Sequence, residues 1–304
     1  MRRTRPLIAL TALAAAATLS LSACGGGSDP AGDALPTDIK KLTIGVSDAA
    51  EPYWNVYKAK VKEELGIEVQ LKNFSDYNQP NPALSQGELD LNEFQHIQYL
   101  ANYNEKQDDD LQPIGGTAVY PLPLYSTTHE SVEEIPQGGK IAIPNDPVNL
   151  ARGLNVLSAA GLVKLNTEAS TTVTLANVDK AASKVEVVPV DAKQTAQQVG
   201  NLDGAIVNVN YATAAKLSED DIIAKDDPDS DAAKPYINLF VVRAEDKDNP
   251  TLRKLVDIYH EPEVEEAVRK DLGNGLVFKN NSAEDLQEAL VTVQKQIADA
   301  GTAQ

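Results

Sequence analysis

A single cysteine, Cys24, in a chain of 304 residues excludes an internal disulfide and any thiolate cluster around a metal. Histidine is nearly as scarce. His96, His129 and His260 lie too far apart to show ligand spacing, and the last two read as surface or capping residues. Positive charge is short as well: 27 Lys and Arg stand against 45 Asp and Glu, a net charge of −18. No basic cluster of the kind that phosphate backbones require is present, which excludes nucleic acid as a partner. The chain also has no GxSxG elbow, no GxxxxGK[ST] loop, no HExxH pair and no free cysteine nucleophile. These absences predict no catalytic residue, no cofactor and no metal. The acidic run Asp226-Asp227-Pro228-Asp229-Ser230-Asp231 lacks the glycine and the closing glutamate of an EF-hand loop, so it reads as a solvated loop.

What is present begins at the N-terminus. Arg2, Arg3 and Arg5 precede an apolar run from Leu7 to Ala23 that stops at Cys24, the layout of a secretory signal peptide. Leu21-Ser22-Ala23-Cys24 sets a small-residue cleavage site directly before a cysteine, which resembles a bacterial lipoprotein box whose thiol is lipidated, with palmitate among the expected acyl chains. Residues 1–23 are therefore expected to be a removed signal, and Cys24 an anchor in the cell membrane on the extracytoplasmic side. A run of this length also approaches a membrane span, but it is Ala-rich and no charged stop-transfer sequence follows. The Arg2-Arg3 pair leaves the general secretory and twin-arginine routes both open. Gly25 to Pro36 is too rich in Gly, Pro, Ala and Asp to bury a core, so residues 24–37 read as a flexible tether.

Beyond the tether the apolar residues alternate between strand and helix periods. Lys41 to Val46 and Ile67 to Leu71 read as strands, and Tyr57, Val61 and Leu65 as one face of a helix that Gly66 ends. Strand, helix, strand implies a parallel crossover and an α/β class. The pattern recurs in a strand at Lys140–Ile143, a helix from Leu150 to Ala160 and strands at Val185–Val190, Ala205–Val207 and Tyr236–Arg243. Ser282 and Asp285 then resemble a cap for a last helix. Pro113 to Ser126 reads as an irregular crossing, and Lys225 to Pro235 as a second. Two crossings predict two lobes, 38–122 plus 237–304 and 123–236, with a ligand cleft between them.

Local chemistry offers several candidates with two readings each. Asn149 reads as a helix N-cap, which puts Arg152 in the first turn, against the helix dipole. Either an anion binds there, held by Arg152 and free N–H groups, or Arg152 pairs with an acid such as Asp146. Asn208 and Asn210 follow a buried strand, where open α/β sheets bind ligands; they are either amides for a ligand ammonium or turn formers. Phe74, Tyr77, Phe94 and His96 gather near other strand ends, as core or as an aromatic wall suited to a thioether.

The ordered set Phe74-Ser75-Asp76-Tyr77, Gln79-Pro80-Asn81, Asn92, Phe94-Gln95-His96, Tyr99-Leu100, Tyr120-Pro121, Ile143-Pro144-Asn145-Asp146-Pro147, Asn149, Arg152 and Ala160-Gly161-Leu162 resembles the NlpA/MetQ family of methionine-binding lipoproteins over most of the chain. The resemblance implies a two-lobed periplasmic-binding-protein fold that works as a monomer. It would close on an amino acid, L-methionine first, and deliver it to the permease and ATPase of an ABC importer. Carried over by motif, Arg152 with Asn149 would hold the ligand carboxylate, Asn208 and Asn177 its ammonium, and Phe74, Tyr77, Phe94 and His96 its side chain. The chain departs from the family at Ala50-Glu51-Pro52-Tyr53, where Gly-Pro-His is frequent, at Val148, where Thr is usual, and around Asn177. Other readings are another amino acid, a methionine-containing dipeptide, an enzyme using His96 with Asp90 or Asp76, or an envelope lipoprotein without a transport role.

Overall fold

The computed structural model describes residues 34–302; the expected signal peptide and the lipid anchor at Cys24 lie outside the described residues. The opening is β1 (Lys41–Val46), α1 (Tyr53–Leu65), β2 (Glu68–Asn73), α2 (Pro80–Ser85), β3 (Leu91–His96), α3 (Ile97–Gln107) and β4 (Gln112–Gly116). After β5 (Ala118–Val119) the chain leaves this sheet and builds a second from β6 (Pro123–Tyr125), β7 (Gly139–Pro144), α4 (Pro147–Ala159), β8 (Val185–Val190), α5 (Ala192–Gln198), β9 (Gly204–Ile206), α6 (Val209–Ala214) and β10 (Ile222–Lys225). It then returns through β11 (Asn238–Val242), α7 (Pro250–Tyr259), α8 (Pro262–Leu272), β12 (Val277–Phe278) and α9 (Ala283–Thr302).

The first sheet has the order β2-β1-β3-β11-β4 and the second β10-β6-β9-β7-β8. In the first, β1 runs parallel to β2 and β3 while β11 is antiparallel to both neighbours. In the second, β7 is parallel to β8 and β9, and β6 and β10 are antiparallel. Helices cover both faces of the first sheet, as its parallel strands demand. One apolar cluster places Trp54, Tyr57, Phe240 and Tyr259 together, with ring centroids 5.5–6.0 Å apart; another seats Leu100, Leu239, Leu286 and Leu290 on the opposite face. Among the described residues no helix is long and apolar enough to cross a membrane.

The structure corrects the reading of Pro113 to Ser126 as irregular, since it holds β4, β5 and β6. Two features hid the strand. Pro113 is tolerated because β4 is at the sheet edge, and Gly115 is required because α7 packs straight onto it: a Cβ there would sit 2.3 Å from Val256 Cγ1. The expected strand at Tyr236 begins later, at Asn238, because Asp231–Tyr236 winds into a 3-10 helix. The start of α4 also moves. Asp146, not Asn149, is its N-cap, accepting a bond from Asn149 N at 2.9 Å with Pro147 at the first helical position. Arg152 therefore falls in the second turn, away from the unpaired N–H groups.

The Val256 side chain of α7 packed against Gly115 gives a stability test. Gly115→Ala should lower the free energy of unfolding by roughly 1–3 kcal/mol through overpacking, while Gly200→Ala, which meets nothing within 4 Å, should leave it within about 0.5 kcal/mol. Urea unfolding followed by circular dichroism measures both; equal midpoints would contradict the packing.

Candidate functional site

The strand ends and helix starts of the two sheets face each other across a cavity of about 690 Å³, counting its open mouth. Tyr77, Phe94, His96 and Asn238 line it from the first sheet, Tyr120 from the first crossing, and Asn149, Arg152, Asn208 and Asn210 from the second sheet. The walls touch at the mouth. Lys193 Nζ pairs with Asp76 Oδ2 at 2.6 Å, Tyr211 donates to the Ser75 carbonyl at 3.1 Å, and the Tyr77 hydroxyl donates to Asn210 Oδ1.

Arg152 is 4% exposed and is held on three sides. Its Nε donates to Asp226 Oδ2 at 2.7 Å, its Nη2 to the Tyr120 carbonyl at 2.7 Å, and the guanidinium lies 4.2 Å from the Tyr236 ring centroid. Asp226 also accepts from Leu122 N at 2.7 Å. Both crossings between the sheets are thereby tied to one side chain. The ion-pair reading of Arg152 is thus the one observed, with Asp226 as partner in place of Asp146. A guanidinium carries five N–H donors, and the protein engages Nε and Nη2, so the cation on the cavity wall keeps donors for an anion.

The amides form a chain that fixes their orientation. Asn149 Nδ2 donates to both oxygens of Asp146 at 3.1 Å, and Asn149 Oδ1 accepts from Asn208 Nδ2 at 3.0 Å. Asn208 Oδ1 is left buried with no partner, and so is Asn210 Nδ2. An orphaned buried amide atom costs about 1–3 kcal/mol, and here an acceptor and a donor remain open on one cavity wall.

His96 caps α3, accepting from Tyr99 N through Nδ1 at 3.3 Å. Burial, reinforced by the positive charge of Arg152, pushes its pKa down to about 3, so the ring is neutral. Tyr77, Phe94 and Tyr99 meet with centroids 5.9–6.2 Å apart, an aromatic wall. Two expected ligand contacts are elsewhere. Phe74 packs into the core beside Leu84 and Leu89, and Asn177 closes a capping box with Thr174; neither lines the cavity. Phe74 belongs to an apolar cluster that absorbs its ring, and the side-chain oxygen Oδ1 of Asn177 is already taken by Thr174 N at 2.8 Å. Asp76 and Asp90 do not bond His96: Lys193 holds the first, and Thr43 N donates to the second at 2.6 Å.

The sequence reading missed the opposite end of the cavity, where Asp48 and Glu93 sit. Glu93 accepts from Thr117 Oγ1 at 3.0 Å. Burial, with the nearby charge of Asp48 adding to it, pushes its pKa up to about 8. The same burial raises Asp48 against bonds from Trp54 Nε1 and the Tyr53 hydroxyl, both 2.8 Å. The available signal was a lone carboxylate in Leu91-Asn92-Glu93-Phe94, inside a strand whose neighbours are buried.

The unfolded Glu93 ionises near 4.5, whereas the folded group keeps its proton to about 8. Between those values the folded state binds more protons, so stability falls as pH rises. His96 acts in the opposite sense, costing stability as pH drops below 6.5 towards 3. Below pH 6.5 the two slopes offset one another, so urea unfolding from pH 6.5 to pH 8 should show the fall, about 2 kcal/mol at about 1.4 kcal/mol per pK unit. Glu93→Gln should flatten it; an unchanged slope would contradict the burial of the acid.

Residues 42–280 match the family described as NlpA lipoprotein. A protein of Pasteurella multocida named probable D-methionine-binding lipoprotein MetQ is 36% identical over 275 residues, covering 88% of this chain and 98% of that one. Among solved structures, protein PG110 from Staphylococcus aureus superposes with a TM-score of 0.78 at 36% identity, covering 83% of this chain and 99% of that one. A nutrient binding protein from Burkholderia cenocepacia bound to methionine gives 0.72 at 35% identity, covering 79% and 100%.

Proposed function

The chain belongs to the NlpA lipoprotein family, and from that premise we propose that it captures methionine outside the cytoplasm and passes it to an ABC importer. One observation carries the reading: the buried Arg152, with donors to spare, shares a cavity between two sheets with an orphaned acceptor on Asn208. A cation and an open carbonyl oxygen on one wall complement the carboxylate and ammonium of a zwitterion. The methionine bound to the Burkholderia relative and the name of the Pasteurella one supply the solute.

In this scheme Arg152 holds the carboxylate. Asn149 acts by fixing the Asn208 amide, which turns Oδ1 to the ammonium, and Tyr77, Phe94 and His96 receive the thioether. Sulfur–ring contacts contribute roughly 0.3–1.5 kcal/mol each. A neutral His96 suits that role, since a charged ring would repel the ammonium. The lobes are residues 38–122 plus 237–304 and 123–236, and the contacts at the mouth belong to the closed state. Cys24 would carry the lipid that anchors the protein, a monomer, to the membrane after removal of residues 1–23, with residues 24–37 as the tether.

Calorimetry on protein freed of carried-over solute should show binding of L-methionine, with the D enantiomer titrated beside it because relatives are named for that form. Arg152→Ala should weaken binding at least ~100-fold, the consequence of burying a carboxylate without its partner at roughly 3–5 kcal/mol. Asn208→Ala, which leaves both crossings tied, should weaken it roughly tenfold. Unchanged affinity in both variants would reject the assigned site.

A further inference from the structure

The cavity is electrically lopsided. Arg152 stands at one end, and the other is closed by Ser47 and Asp48 from the turn after β1, Glu93 from β3, and Leu272 at the end of α8. Glu93 is only 5% exposed. The titratable groups that face it are Asp48, Tyr53 and Tyr57 of α1, Tyr120 of the first crossing and Tyr259 of α7. All of these are acids or phenols. Among the described residues no lysine, arginine or histidine pairs with either carboxyl.

Burying two carboxyls side by side without a cation is expensive unless one keeps its proton or a partner completes the site. Nothing in the fold demands an acid at position 93: an amide would accept from Thr117 equally well. The cavity itself points to a polar occupant, through the unpartnered buried atoms Asn208 Oδ1 and Asn210 Nδ2. Tyr120 sets the distance between its poles. The Tyr120 carbonyl takes Arg152, while its hydroxyl, 3.3 Å from that of Tyr259, reaches the Glu93 side. A solute anchored by its carboxylate at Arg152 thus has an acidic end without a cation one tyrosine away.

We propose that Glu93, with Asp48 beside it, is a specificity-determining subsite that takes an ammonium group of the captured solute. This rests on the amino-acid-binding reading above and deepens it. With the carboxylate held at Arg152 and the α-ammonium at Asn208, the ammonium that reaches this pair is the distal one of a longer diamino acid. When it arrives, the acidic proton of Glu93 leaves to the buffer and the carboxylate pairs with the cation, a charge-assisted bond.

The test uses the full chain freed of carried-over solute, titrated at pH 7 in two buffers of different ionisation enthalpy. The solutes are L-methionine, its desamino analogue, L-ornithine and L-lysine. Wild type should release a proton on binding the ammonium-bearing solute that reaches Glu93; Glu93→Gln should bind that solute roughly tenfold more weakly and release none. Weakened ornithine or lysine with unaffected methionine supports the distal assignment; weakened methionine with an unaffected desamino analogue, or a wild type that binds methionine and neither diamino acid, overturns it. If Glu93→Gln binds every solute as wild type does, the subsite is refuted while the Arg152 site stands; if wild type binds no amino acid, both fall. Asp48→Asn provides the same readout should Glu93→Gln fail to fold, and equal affinities there refute the proposal too.

Discussion

The buried guanidinium of Arg152 is the constraint on which the rest of the site depends. It joins the Asp226 carboxylate and the Tyr120 carbonyl, one residue from each of the two passages between the sheets. A cation this deeply buried persists only with such partners, and those partners fix where the passages run. The position of α4 relative to the first sheet and the location of a positive charge in the cavity are consequences of one set of bonds.

Around that cation the cavity separates its functions by chemistry. Amides of Asn149 and Asn208 sit beside it and hold one another in register, aromatic rings form one wall, and carboxyls occupy the far end. The separation is electrostatically consistent. Arg152 and burial together keep His96 neutral, so the aromatic wall adds no second positive charge, while burial and the neighbouring Asp48 keep the proton on Glu93. A solute meets a polarity gradient as well as a shape. The ion pair and tyrosine contacts across the mouth join the two walls without a solute; exposed pairs of that kind contribute about 0–1 kcal/mol each.

Much of the framework was legible in the chain. Alternation in Lys41–Val46 and the helical spacing of Tyr57, Val61 and Leu65 give the first crossover unit, and Gly66 ends its helix in the left-handed region at φ 69°. Legibility failed where a neighbour overrides local preference. β4 contains Pro113 and two glycines, which by themselves spell a loop; the strand exists because its edge position spares the missing N–H and because α7 needs the space of a side chain. The cap of α4 was misplaced by three residues because Asp146 and Asn149 are both good caps, and Pro147 fits the first helical position only if Asp146 precedes it.

By itself the sequence determined the α/β class, the family and the gathering of Asn149, Arg152 and Asn208 near strand ends, because periodicity, turn residues and ordered motifs are properties of neighbours along the chain. Only the tertiary structure decided what those residues do to one another. Arg152 meets Asp226 across 74 positions and Asn208 meets Asn149 across 59, distances over which no local pattern carries information. It decided, too, that Phe74 enters the core and that Glu93, unremarkable in its strand, ends in the cavity with no cation paired to it. A side chain's charge state follows from the groups folded around it, and those are set by how the two sheets pack.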